Sequence, residues 1–225
     1  MSSGTPSRSE VFRAVFGDLP FTDGEVLVHG RSAHIAMPRD AVALGIAYVP
    51  RDRKENGILR DLSILDNSSA ASWDSASRHG ILDEPRLQQM FAAQREALRI
   101  KMGEENDPIT SLSGGNQQKA VLSKWLDANP SVLILSNPTQ GVDVGAKNEI
   151  YAQIMKLAEQ GVATIITSGE AKEIMKICDR VLVMYHGRVC GELDRSQMTE
   201  ENIMILSTGG ACTVDRSEAK CSTIN

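Results

Sequence analysis

Apolar residues recur along this chain with two different periods, and each change of period marks a new element. Val11, Ala14 and Val15 repeat at helical spacing behind Ser7. Glu10 stands three residues after Ser7, a capping-box pattern, so the spacing predicts a helix over 7–16 that Gly17 ends. Residues 25–29 read as a strand between Gly24 and Gly30, pairing with 33–36 as a short antiparallel hairpin. Ile46, Ala47, Tyr48 and Val49 form an apolar run stopped by Pro50, which suits a buried strand whose end meets a charged loop. From about 62 to 110 the chain turns to Ser, Ala, Gln, Glu and Arg, with high helix propensity over 84–102, and this predicts a helical insert. Apolar runs at 132–135, 163–167 and 181–185 follow, separated by helical stretches at 146–159 and 170–178. Such alternation implies a parallel sheet. Past 207 the residues are small, polar and without period, which predicts a mobile tail over 208–225.

Composition narrows the class. A chain of 225 residues can bury one good core and is short for two independent units. Hydrophobic residues at 41% and charged residues at 24% match a soluble globular protein rather than a disordered one. No stretch approaches the ~20 apolar residues of a membrane span and no signal-peptide pattern opens the chain, so a cytoplasmic location is expected. Cys178, Cys190, Cys212 and Cys221 lack any CxxC spacing, which points away from zinc and from a disulfide framework. A net charge of −5 argues against nucleic acid as a partner, and the run Arg51, Asp52, Arg53, Lys54 is too short to reverse that. His29, His34, His79 and His186 fit surface or core roles.

Candidate chemistry concentrates at 112–119, LSGGNQQK. A helix follows on which Val121, Leu122, Trp125 and Leu126 share a face, so the motif occupies a helix N-terminus. Gly114 and Gly115 let backbone amides approach a phosphate with no Cβ in the way, Ser113 adds a hydroxyl, and the helix dipole favours negative charge. Ser-Gly-Gly alone is equally a Ser N-cap with glycines that shape a turn. Its setting decides, because the strand VLIL and then Ser136, Asn137, Pro138 and Thr139 follow.

Four segments in order carry a resemblance: IAYVPRDRKENGILRDLSILDN from Ile46, SLSGGNQQKAVLSKWL from Ser111, VLILSNPTQGVDVGAKNEIY from Val132, and ATIITSGEAKEIMKICDRVLVMYHGRVCGEL from Ala163. Together they resemble an ABC ATPase domain, most closely the second domain of the tandem ATPases serving bacterial simple-sugar importers of the ribose, galactose and xylose type. The resemblance implies an α/β fold with an ABC-type P-loop NTPase core, a mostly parallel sheet, an antiparallel β edge and a helical subdomain, here truncated at its N-terminus. It divides the chain into a degenerate P-loop end, hairpin and charged-loop region at 1–61, a helical subdomain with the signature at 62–127, the rest of the core at 128–207, and the tail. It further implies ATP and Mg2+ as cofactors and a second ABC ATPase domain as partner. A membrane permease and, indirectly, a sugar-binding protein complete the expected set, which would hold the chain on the cytoplasmic face of the membrane.

Several positions depart from the pattern. GTPSRSEVFRAVFG from Gly4 resembles the end of a P-loop, with Arg8 and Ser9 where Lys and Ser or Thr would stand and with glycines missing at Thr5 and Ser7. Where the family presents Asp then Glu at a strand end, this chain has Ser136 and Asn137, which neither attract magnesium as anions nor accept a proton at pH 7. Arg51 replaces a usual Glu, and Gly169 stands at the place of a switch His. No catalytic residue of its own is therefore expected, and hydrolysis by the chain alone is not. Asp143 matches the acidic residue of the loop through which paired domains communicate, and equally fits a helix cap. Lys119 and Lys147 read as solvated helix charges. The leading expectation is a half-site donor, with Ser113, Gly114, Gly115, Asn116 and Gln117 meeting nucleotide held by a partner. A non-catalytic scaffold, or a decaying truncated copy, is the alternative.

Overall fold

The computed structural model describes residues 7–20 and 23–210. Gly4, Thr5, Cys212 and Cys221 lie outside them, as does the predicted tail beyond Gly210. In chain order come α1 (Arg8–Val15), β1 (Val26–Val28), β2 (Arg31–Ala33), α2 (Pro38–Ala43) and β3 (Ile46–Val49). Next are α3 (Ile64–Ser69), β4 (Ser77–Arg78), β5 (Ile81–Leu82), α4 (Glu84–Ala97), α5 (Gly114–Leu126) and β6 (Val132–Ser136). Then follow α6 (Val144–Glu159), β7 (Ala163–Thr167), α7 (Ala171–Ile177), β8 (Arg180–Tyr185), β9 (Arg188–Asp194) and α8 (Glu200–Ser207). The chain divides into two compact units, one of residues 45–167 and one that joins 1–44 to 168–225.

In the 45–167 unit, β3, β6 and β7 pair in parallel in that order, Ile46 opposite Val132 and Val132 opposite Ala163. β3 is buried at all four positions, as an apolar run without alternation requires of a parallel strand. One apolar core joins the sheet to the helices: Val49, Leu133 and Leu135 pack in the same cluster as Ile64 of α3, Phe91 of α4, Val121 and Leu122 of α5, and Ile150 and Ile154 of α6. Pro at the start of α4 and the Asp83 cap, whose carboxylate accepts from Arg86 N, set that helix's beginning. It stops at Ala97 rather than near 102, with Arg99 in the left-handed region at φ 52°. The insert is also not wholly helical, because β4 and β5 form a small antiparallel ribbon inside it.

In the other unit, α1 begins at the predicted capping box, with Ser7 accepting from Glu10 N and Glu10 accepting from Ser7 N. β1 and β2 form the hairpin, its second strand two residues earlier than the pattern suggested. The run at 181–185, expected among the parallel strands, instead pairs antiparallel with β9 as β8, and Val183 and Leu193 of that ribbon pack on Leu206 of α8. A turn of only two residues dictates this: His186 and Gly187 both adopt positive φ, 46° and 70°, which suits the right-handed twist of a hairpin and leaves no length for a crossover. His29–Gly30 and His79–Gly80 make the same turn between β1 and β2 and between β4 and β5. Three of the four histidines thus serve as turn residues. No helix among the described residues is long and apolar enough to cross a membrane.

Candidate functional site

Ser113 caps α5. Its Oγ accepts from the Asn116 backbone amide at 3.4 Å and from Asn116 Nδ2 at 3.0 Å, while Asn116 Oδ1 accepts from Lys101 N at 2.9 Å. Ser113 is exposed, Gly114 and Asn116 are half-buried, and Gly115 is buried. The first turn of a 13-residue helix therefore presents its amides beside an exposed hydroxyl with no acidic residue in that turn, which is an electrostatic setting for an anion. Gln117, expected to face a ligand, turns inward: its amide donates to Leu112 O at 3.2 Å and to Ile109 O at 3.5 Å, fixing the segment that leads into the helix.

Both glycines are also needed behind the helix end. A Cβ on Gly115 would stand 2.6 Å from Ala146 Cβ, and one on Gly114 would stand 2.6 Å from Arg53 Nη2 and 3.1 Å from Gly141 O. The segment 139–146 thus packs directly on the signature. Asp143 caps α6, accepting from Ala146 N at 2.9 Å, so the cap reading of this residue is realised in the structure. Arg51 reaches the same segment, its Nε donating to Gln140 Oε1 at 2.9 Å. Arg53, which no spacing rule marks, is buried and donates to Gln140 O at 2.8 Å and Gly141 O at 3.3 Å. Removal from water holds its guanidinium below the usual arginine range. Its turn, Arg53–Gly57, is held at the far end by Lys124 Nζ, which donates to Gly57 O at 2.7 Å and which burial pushes down to about 8.

Lys119 requires a correction. It is 3% exposed rather than solvated, and donates to Arg99 O at 2.9 Å and to Glu149 Oε2 at 2.5 Å. The reason is that residues 117–123 of α5 are all buried, so this helix lies inside the unit and has no solvent face at that level. Lys147, by contrast, is half-buried.

At the C-terminal end of β6, Ser136 is fully buried. Thr167 Oγ1, at the end of β7, donates to Ser136 Oγ at 3.3 Å and to Asn137 Oδ1 at 3.4 Å. Asn137 N donates to Thr167 O at 2.9 Å, and Asn137 takes φ 48°, a left-handed conformation its short amide tolerates. This strand end is a neutral, internally bonded patch. Among the described residues no group of three or more His, Cys, Asp or Glu could hold a metal. The strand-end residues of this chain do not fit a magnesium ion.

In the other unit, the first turn of α1 holds Arg8, exposed, and Ser9, half-buried. Arg8 Nη1 donates to Ser168 O at 3.2 Å, in the segment that carries Gly169, which is exposed. Ser168 Oγ donates to the Glu173 carboxylate and accepts from Glu170 N. The N-terminus of α1 is filled by the chain itself: Glu10 Oε2 lies 2.6 Å from Ser7 N, and the Ser7 amide, then its hydroxyl, hold the carboxyl below its usual range.

The profile of the ABC transporter family matches residues 8–140. The chain is 42% identical over 203 residues to the ribose import ATP-binding protein RbsA of Lactococcus lactis subsp. cremoris (strain SK11), covering 90% of this chain and 41% of that protein. RbsA 3 of Rhizobium meliloti (strain 1021) is 46% identical over 206 residues, 91% of this chain and 41% of that one. The chain thus spans about two fifths of the length of the curated relatives it matches. Among solved structures, MJ1267, an ATP-binding cassette of an ABC transporter, superposes with a TM-score of 0.74 at 16% identity, over 88% of this chain and 82% of its own. CbiO1 from Clostridium perfringens, part of the ABC transporter complex cbiONQ, gives 0.70 at 22% identity over 91% and 79%. At such identities these two attest the fold.

Proposed function

The chain belongs to the ABC transporter family of ATP-binding domains, and from that premise we propose that it is a signature-donating half of a carbohydrate importer's ATPase. Its α5 end completes an ATP site whose phosphate loop, Mg2+ and water-activating carboxylate belong to a second ATPase domain. The observation that carries this reading is the contrast within the chain: an open α5 N-terminus with Ser113 exposed, against a strand end made of neutral Ser136 and Asn137. Ser113, Gly114 and Asn116 meet the nucleotide, Gln117 holds the loop in place, and Asp143 and Arg51 sit on the segment that passes the contact on. ATP hydrolysis in the pair drives a membrane permease, which receives its sugar from a binding protein. The complex places this chain on the cytoplasmic face of the membrane. The names of its relatives favour ribose or a similar simple sugar.

The test is magnesium-dependent ATPase activity of the purified chain alone and mixed with an intact sugar-importer ATPase domain. Hydrolysis is expected in the mixture only, and Ser113→Arg is expected to lower it about 100-fold, the scale of removing a preorganised donor from a developing charge. Hydrolysis by the chain alone, or a mixture indifferent to Ser113→Arg, would refute the reading. Docking to the permease with no response to ATP would support a scaffold instead.

A further inference from the structure

Arg53 is nearly removed from water, at 8% exposure, and no carboxylate bonds it among the described residues. Its two acceptors are neutral carbonyls, and its Nε has no hydrogen-bond partner. A buried charge so sparsely met opposes folding, so a bridge needed for stability alone would be better served by a neutral side chain. What arginine adds is a rigid planar fork that can hold two carbonyls at once. Here the fork spans Gln140 O and Gly141 O while Nη2 lies 2.6 Å from the place a Cβ on Gly114 would take. Arg51 grips the side chain of that same Gln140 at 2.9 Å. The 51–56 loop, exposed except at Arg53, is therefore attached to residue 140 twice, and through Arg53 it touches the first residue of the signature helix.

We propose that Arg53 is a positioning residue for the signature end: it seats the 140–141 segment against Gly114, and so transmits a displacement of the 51–56 loop to the N-terminal amides of α5. The proposal rests on the reading that this helix end completes a partner's ATP site, but its first test does not. Arg53→Lys keeps the charge and the stem and cannot hold both carbonyls in one plane. In the chain alone, hydrogen exchange is expected to rise at 113–116 and 139–143 and to stay unchanged across 84–97. Gly114→Ala pushes on the same contact from the other side with Arg53 in place, and yields the same exchange pattern should Arg53→Lys not fold.

In the ATPase pair, Arg53→Lys is expected to lower kcat about tenfold, the consequence of a small misplacement of catalytic donors. KM for ATP should stay within about two-fold, because a positioning defect removes an interaction realised mainly in the transition state. Gly114→Ala should cost about as much, and the double variant no more than about two-fold beyond either, since both break one contact. Unchanged exchange in both segments, or rate losses that simply multiply, would overturn the proposal. If Ser113→Arg leaves the pair unaffected, the half-site reading fails, and the exchange pattern alone decides the role of Arg53.

Discussion

Two helix N-termini in this chain share a serine cap and differ in all three residues that follow it, of which the third decides whether the first turn carries a carboxylate. Both α1 and α5 open on a serine N-cap, Ser7 and Ser113, whose hydroxyl accepts from the backbone three residues on. In α1 the third helical residue is Glu10, and its carboxylate already accepts from the Ser7 amide. In α5 the third residue is Asn116, which is neutral and spends its Oδ1 on Lys101 N, and glycines occupy the two positions between. The positive end of a helix dipole attracts an anion in either case. In α1 the chain supplies that anion from the third helical residue; in α5 no residue of the first turn does, and the nearby carboxylate is that of Asp143, whose Oδ2 lies 3.5 Å from the place a Cβ on Gly115 would take. On the proposed function, the first turn of α5 meets a phosphate and that of α1 does not, and residue 116 against residue 10 is where the two ends differ in negative charge.

Breaking the comparison from the strand side has the largest expected effect on stability. Ser136→Asp places a carboxylate at a fully buried position beside Thr167, and is expected to cost about 3 kcal/mol while conferring no hydrolysis on the chain alone; denaturant unfolding and single-chain ATPase assays read both. The decisive exchange is Asn116→Glu, which gives α5 the same Ser-x-x-Glu box as α1. Helix stability should hold, and the ATPase rate of the pair should fall about tenfold as the new carboxylate repels the partner's phosphates. A rate that survives Asn116→Glu would mean the neutral third residue is irrelevant.

Cutting the buried support of α5 at Lys119 should follow in size. Lys119→Met leaves Arg99 O without its donor and removes the ion pair with Glu149, and about 2 kcal/mol of unfolding free energy is expected to go with it. Smaller still is Glu10→Gln, which loosens the α1 box. Because the Glu10 pKa is lowered in the folded state, its contribution is present above the unfolded value of 4.5 and is lost as pH falls through the folded one. The variant should therefore flatten the acid limb of the stability curve, with its largest loss near pH 7 and stability converging on that of the parent chain at low pH. Lys124 gives a slope of the same sign in a more alkaline window: lowered to about 8 from 10.5, it lets the unfolded chain bind more protons between those values, so stability should rise with pH across that window. Thermal melts at pH 8 and pH 10 check the sign, and Lys124→Met should abolish the rise.

Read along the chain, residue order alone specified what depends on neighbours close in sequence. The capping box at Ser7 and Glu10, the fully buried strand at 46–49, the helix begun at Ser113 and the strands at 132 and 163 all follow from period, cap and breaker. The neutral strand end at Ser136 and Asn137 was equally legible, because it rests on the chemistry of two side chains. Packing across long separations was not. That Lys119 is buried, that 181–185 turns back on β9, and that Arg53 reaches residues 140 and 141 across 87 and 88 positions were decided only by the tertiary structure. The physical reason is that a side chain's burial and its hydrogen-bond partner belong to whatever the fold brings against it. A lysine on a helix, or an arginine in a charged loop, carries no local sign of which neighbours will arrive.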